Sequence, residues 1–294
     1  MKTQNQNIKH QNMESETKSL PGIGLSYSRT EEEVWAMLQS KMSCIDSSHR
    51  SHRRIANHQW LMAAAAMLVI LLSTTAFIFF FTKTIEVPRG QHLNILLPDG
   101  SKVQLNAQST IRYKPYWWKF NRQVQLEGEA FFEVKRGKTF DVISGMGRTC
   151  VLGTSFNILA RHQRYRVTCY TGTVKVVSVI SGESTVINSN EQAMVNNDGS
   201  LERQTGEAAK ADEAIGWTDD RFIFTRTPIN LVFEEVERQY NITIETEENL
   251  DYLYTGYFTK ERDAEEVIRM ICLSLNLHHQ AKENGFVITK KTDP

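Results

Sequence analysis

The chain of 294 residues lacks a surplus of charge: 34 Lys and Arg stand against 34 Asp and Glu, for a formal net charge of zero. Without a basic excess there is little field to grip a phosphate backbone, which argues against direct binding to nucleic acid. Cysteine is scarce as well. Four residues do not make a disulfide framework in a chain this long, and none of them stands in a CxxC pair. The sequence also has no GxSxG elbow, no P-loop and no HExxH, so none of the usual enzyme classes is indicated and no cofactor is expected. A last absence is local: from Trp60 to Phe81 there is no charged residue in 22 positions.

That uncharged block, WLMAAAAMLVILLSTTAFIFFF, would reach roughly 33 Å as a helix, enough to cross the ~30 Å hydrocarbon core of a bilayer. A cleaved signal peptide has a short basic start and a shorter apolar region, whereas this block follows 59 residues, so an uncleaved anchor is expected. Arg50, Arg53 and Arg54 lie before it; Lys83 and Arg89, partly offset by Glu86, lie after it. This bias favours a cytoplasmic N-terminus and places residues 83–294 on the far side.

Residues 1–29 are polar and carry too few apolar side chains to offset the entropy of ordering, so this segment is expected to be mobile. Thr30 to Glu33 fits a capping box, with three Glu in the first turn. Val34, Leu38, Met42 and Ile45, with Trp35 and Met37 alongside, then form an apolar stripe at helical spacing. A lone amphipathic helix over 30–46 is marginal in water unless its stripe is covered, so it needs a partner.

Beyond the anchor the period changes to two. Leu93, Ile95 and Leu97 alternate with polar residues, Pro98-Asp99-Gly100 makes a turn, and Val124, Leu126, Gly128, Ala130, Phe132 and Val134 hold the even positions of one long strand. Residues 88–199 therefore read as an all-β domain, sandwich or solenoid. Arg161 to Arg164 reads as a hairpin turn that sets Cys169 near Phe156. A linker is expected over 200–216. Residues 217–290 hold two copies of one βαβ unit 35 residues apart: Ile229, Val232, Phe233 and Val236 align with Ala264, Val267, Ile268 and Ile271, and Asn241 with Asn276.

Few residues invite chemistry. Glu127, Glu129 and Glu133 suggest paired carboxylates, but they occupy the odd positions of the long strand, where a solvated face carries charge. Cys44, His49, His52 and His58 have atypical spacing for a metal and lie in the basic patch beside the anchor, while His278 and His279 point to opposite faces of a strand; no metal site is expected. One backbone reaction is conceivable at Gly153-Thr154, where the Thr hydroxyl would attack the Gly153 carbonyl in an N-to-O acyl shift leading to chain cleavage. The preferred reading is that this glycine allows a bulge between strands.

The segments LPDGSKVQLNAQSTIRY, RQVQLEGEAFFEV, VLGTSFNILA and TGTVKVV, in that order, resemble the FecR family of transmembrane anti-sigma factors. RFIFTRTPINLVFEEVERQYNITI resembles the C-terminal domain that accompanies it, itself similar to the signalling domain of TonB-dependent receptors. The resemblance implies a single-pass inner-membrane protein with an all-β periplasmic domain and a small α+β C-terminal domain. Implied partners are an extracytoplasmic-function sigma factor on Val34, Trp35, Leu38 and Met42, the signalling domain of an outer-membrane TonB-dependent receptor near Tyr254, Tyr257 and Phe258, and envelope proteases that release the signal. The competing reading is a membrane-anchored envelope adaptor or glycan-binding protein with no transcriptional role.

Overall fold

The computed structural model describes residues 29–206, 211–246 and 250–291, with the backbone alone along 43–57 and 211–212. The expected mobile tail, apart from Arg29, lies outside the described residues, as do the side chains of Cys44, His49 and His52.

Helix α1 runs from Glu31 to Phe80 without a break, 50 residues in all. The sequence pattern predicts two helices here, one ending near 46 and an anchor starting at 60. They are one because no Gly or Pro occurs between Glu31 and Phe80 to interrupt the ladder. Glu33 and Val34 N–H groups donate to the Thr30 carbonyl at 3.0 and 3.2 Å, which starts the helix where the capping pattern placed it.

After α1 the chain builds a β-module from β1 (Lys83–Val87), β2 (Leu93–Leu96), β3 (Lys102–Leu105), β4 (Ser109–Tyr113), β5 (Arg122–Glu133), β6 (Phe140–Ile143), β7 (Gly147–Val151), β8 (Ser155–Arg161), β9 (Arg164–Thr171), β10 (Thr173–Ser178), β11 (Ser184–Asn188), β12 (Glu191–Val195) and β13 (Leu201–Gln204). Strand β5 belongs to two sheets. Its first half lies between β4 and β6, and its second half between β3 and β8. Gly128 marks the change of sheet with φ +105°, and a Cβ there would lie 2.5 Å from Ser109 Oγ, so only glycine lets β4 pass this close. The open choice between sandwich and solenoid thus resolves into two sheets folded over one core and joined through β5. Phe132 and Phe156 stack at 5.1 Å inside it, and the Tyr165 hydroxyl bridges the sheets to Thr149 Oγ1 at 2.6 Å. Each such ring, removed from water, contributes roughly 1.5–3 kcal/mol.

The turn at Pro98-Asp99-Gly100 is fixed by Asp99, whose carboxylate accepts from the Ser101 N–H at 2.9 Å and pairs with Arg122, 9% exposed. Burial works against this charge, but the Ser101 and Arg122 hydrogen bonds hold the carboxyl below its ordinary range. His162 and Gln163, with φ of 46° and 59°, make the expected hairpin turn, and Phe156 does stand opposite Cys169. Cys150, Cys169 and Cys272 are free, and burial pushes each thiol up to about 11, so they are inert at neutral pH.

The expected linker is partly structured. Leu201–Gln204 adds to the edge of β12 as β13, with Leu201 against the core. An edge strand needs only backbone bonds and one anchoring side chain, which is why apolar alternation did not reveal it. A short helix α2 (Ala211–Ile215) and a 3-10 turn over Gly216–Asp219 follow.

The C-terminal module contains β14 (Arg221–Pro228), α3 (Ile229–Tyr240), β15 (Thr243–Thr246), β16 (Leu253–Thr259), α4 (Ala264–Ser274), β17 (Leu277–Lys282) and β18 (Gly285–Lys290). This is two βαβ passages and a closing strand. Val232, Phe233, Val236, Val267, Ile268 and Ile271 are all buried, at the positions that the 35-residue offset aligned. Asn241 and Asn276 both adopt φ 54°, so each copy leaves its helix through a left-handed Asn. β14 pairs with β16, and β15 and β17 flank β18.

Candidate functional site

The N-terminal stripe is a solvent-facing surface. Trp35, Leu38, Met42 and Val34 are 62, 46, 65 and 36% exposed. At about 100° per residue these four positions fall within roughly a 100° arc of the helix, so they form one contiguous apolar face. Further along, His58–Phe80 is the one helical stretch among the described residues long and apolar enough to cross a membrane. In its second half Thr75 Oγ1 donates to the Leu71 carbonyl at 2.7 Å, which competes with the helix's own bond to that oxygen.

The seam between the β-module and the C-terminal module is made of polar groups withdrawn from water. Glu129, on β5, is 5% exposed, and its two carboxylate oxygens accept from Asn106 Nδ2 and Asn157 Nδ2, both at 2.9 Å. Asn106 Oδ1 accepts from Gln239 Nε2 of α3 at 2.8 Å. Gln239, 1% exposed, also donates to Glu235 Oε1 at 2.8 Å and accepts from His92 Nε2 at 2.9 Å. Arg238 closes the network on Glu235 Oε2 at 2.7 Å, and Glu234 lies between Arg238 and Arg164 of β9 at 3.6 and 3.2 Å.

Two buried glutamates share this seam, and their carboxyls diverge. Burial and the Glu235 charge push Glu129 upward. Burial also opposes the charge of Glu235, but Arg238 and Arg161 outweigh it and hold that carboxyl low. Burial and Lys260 lower His92, so its ring is neutral at pH 7. Beside the network lies a cavity of about 600 Å³, lined in part by Arg161, Arg166, Trp217, Arg221 and Arg238.

Glu129 corrects the solvated reading of the β5 carboxylates. Glu127 and Glu133 are exposed as expected, but α3 covers the face at Glu129. Alternation told which face of β5 Glu129 occupies, but nothing in it told that another module packs there. Gln239, Asn106 and Asn157 were missed for the same reason. A signal was available in α3, where Gln239 continues the buried helical face from Val232 and Val236 and so marks a polar group facing inward.

The three aromatic candidates of the C-terminal module separate. Tyr254 and Phe258 are 6 and 1% exposed, within a cluster where Phe258 stacks on Phe222 at 5.0 Å and Tyr254 meets Phe224 at 6.0 Å. They belong to the core, because residues 254, 256 and 258 share the inward side of β16. Tyr257 points the other way and is 70% exposed.

At Gly153-Thr154 the strand register slips between Ser155 and Phe156, and a Cβ on Gly153 would lie 2.7 Å from Arg136 Cα. The glycine therefore serves close packing beside a bulge. Thr154 is 5% exposed and its Oγ1 makes no hydrogen bond in the described structure. His278 and His279 stand opposite Thr289 and Ile288, and no three His, Cys, Asp or Glu side chains converge among the described residues.

Residues 83–175 match the family described as FecR protein, and residues 221–288 match the one described as FecR, C-terminal. Two crystal structures of a candidate anti-sigma factor from Parabacteroides distasonis ATCC 8503, at 2.50 and 1.65 Å resolution, share 31% identity with the chain at a TM-score of 0.65. They align with 72 and 71% of this chain and with the whole of their own. Among curated proteins none matches the chain.

Proposed function

The chain belongs to the FecR family, and from that membership we propose that it is a transmembrane anti-sigma factor that retains an extracytoplasmic-function sigma factor at the inner membrane. The family is regulatory and non-catalytic, and relays a periplasmic signal to a sigma factor. For this chain we assign residues 30–46 to the cytoplasm as the sigma-binding element, 60–81 to the single span, and 88–199 and 217–290 to the periplasm.

The observation that carries the reading is the uncovered stripe of Val34, Trp35, Leu38 and Met42, an amphipathic helix face suited to lie in an apolar groove. An adaptor without a transcriptional role would leave that face unused. On the periplasmic side, the signalling domain of a TonB-dependent receptor docks on the C-terminal module. Tyr257 and the edge strand β15, where Thr243 and Glu245 are exposed, offer a side chain and an open backbone for it. Release follows regulated proteolysis, with an intramembrane cut near Ser73-Thr74-Thr75 after periplasmic trimming. A lone span transmits shape change poorly, and the Thr75 bond to the Leu71 carbonyl loosens the helix there.

The test is co-purification of sigma factors with the full-length chain from membranes. Trp35→Glu with Leu38→Glu should abolish capture while the chain stays in the membrane fraction. Undiminished capture by the double variant would overturn the assignment of the stripe.

A further inference from the structure

The β-module carries a loop whose aromatic side chains are left uncovered. Only Phe81 and Thr82 separate the end of α1 at Phe80 from β1, which starts at Lys83. β4 runs back antiparallel to β1 and places Tyr113 opposite Lys83. The loop that follows, residues 114–121 with the sequence KPYWWKFN, therefore emerges level with the last turn of α1. This is a consequence of register, whatever the loop's composition.

The composition is unusual for a solvated hairpin loop. Trp118 turns inward, 4% exposed, and meets Tyr113 and Phe140 at 5.6 and 5.8 Å. Tyr116, Trp117 and Phe120 turn outward and are 54, 36 and 74% exposed. These outward rings continue the surface of the helix end: Tyr116 lies 5.5 Å from Phe81 and 6.4 Å from Phe77, and Trp117 lies 5.2 Å from Phe79 and 4.8 Å from Phe120. Lys114 Nζ sits 5.2 Å over the Phe79 ring. Lys119 lies within the same loop, and Lys83 stands opposite Tyr113 at the start of β1.

We propose that residues 114–121 embed in the headgroup layer of the bilayer crossed by α1, seating the β-module on the membrane surface. The proposal rests on the reading of α1 as a span. A lipid surface is the occupant because the exposed rings are continuous with the apolar end of the helix. Trp and Tyr are the residues that favour the boundary between hydrocarbon and headgroups. The lysines suit the same boundary, where long cationic side chains can reach lipid phosphates.

The experiment uses the full-length chain in vesicles of phosphatidylcholine and phosphatidylglycerol. The emission lost on Trp117→Phe isolates Trp117. That difference signal should be strongly quenched by lipids brominated near the headgroup, less by lipids brominated near the acyl terminus, and shielded from aqueous iodide. Phe120→Ser, at a position too exposed to govern folding, should reduce the lipid quenching. Iodide quenching without lipid quenching overturns the proposal, and so does shielding from both quenchers, which would mean that protein covers the loop. Alkaline extraction separates the two readings. A chain that resists extraction with Trp117 unquenched by lipid refutes the loop alone, and a chain that is extracted refutes the span and the proposal with it.

Discussion

Gln239→Met is the sharpest test of the seam. Methionine nearly conserves the volume of glutamine, so the substitution keeps the packing of a side chain that is 1% exposed and removes its polar atoms. Three hydrogen bonds are lost, to Asn106 Oδ1 and Glu235 Oε1 at 2.8 Å and from His92 Nε2 at 2.9 Å. A bond to a charged group is worth about 1.5–3 kcal/mol and a neutral one about 0.5–1.5 kcal/mol. Asn106 Oδ1 still accepts from the Ala107 N–H at 2.7 Å and Glu235 keeps Arg238, so the simple sum overstates the effect. A destabilisation of about 3 kcal/mol is expected, which for a fragment of this size lowers the midpoint by roughly 6–12 °C. The assay is calorimetric unfolding of residues 83–291, wild type beside variant. A shift below about 1 °C would refute the claim that this network holds the modules together.

The raised carboxyl of Glu129 gives a pH prediction. Its contribution to stability is full below the unfolded value and is lost as pH rises through the higher folded value, whereas the lowered carboxyl of Glu235 contributes in the opposite sense and at lower pH. Glu129→Gln should therefore flatten the decline in midpoint from the ordinary Glu range upward, and an unchanged pH profile would count against a titrating Glu129. At Gly153-Thr154, where the Thr hydroxyl is buried without a hydrogen-bond partner, the acyl shift would split a purified fragment of residues 83–291 in two on incubation and Thr154→Ala would remain whole. A single intact wild-type mass leaves only the bulge.

What could be read in the sequence was whatever rests on local periodicity and turn chemistry. The alternation of β5, the hairpin at His162-Gln163, and the paired helices closed by Asn241 and Asn276 all express preferences written within a few residues. The uncharged block from Trp60 could be read because length and charge suffice for it. What stayed hidden depends on contacts between distant segments. Leu201–Gln204 is a strand because β12 offers an edge, and Glu129 is buried because Gln239, 110 positions later, lies above Asn106. The continuity of α1 through residues 47–59 has a local cause as well, since that polar stretch contains neither Gly nor Pro to break the helix.

The seam and the start of the β-module are joined by a short chain of contacts. Gln239 holds Asn106, and Asn106 holds the Glu129 carboxylate. The Glu129 N–H donates to Ser109 Oγ at 2.9 Å, where Gly128 admits the close approach of β4. Ser109 stands opposite Val87 of β1, and β1 is separated from α1 by two residues that give little slack. A partner that moves α3 thus acts on buried groups coupled through shared hydrogen bonds, so the network tends to hold or break as a unit. Because β5 is shared by both sheets, a break at Glu129 falls at the point where they join. The same residues that fix the C-terminal module to the β-module therefore also fix β4, the strand that holds β1 in register after α1.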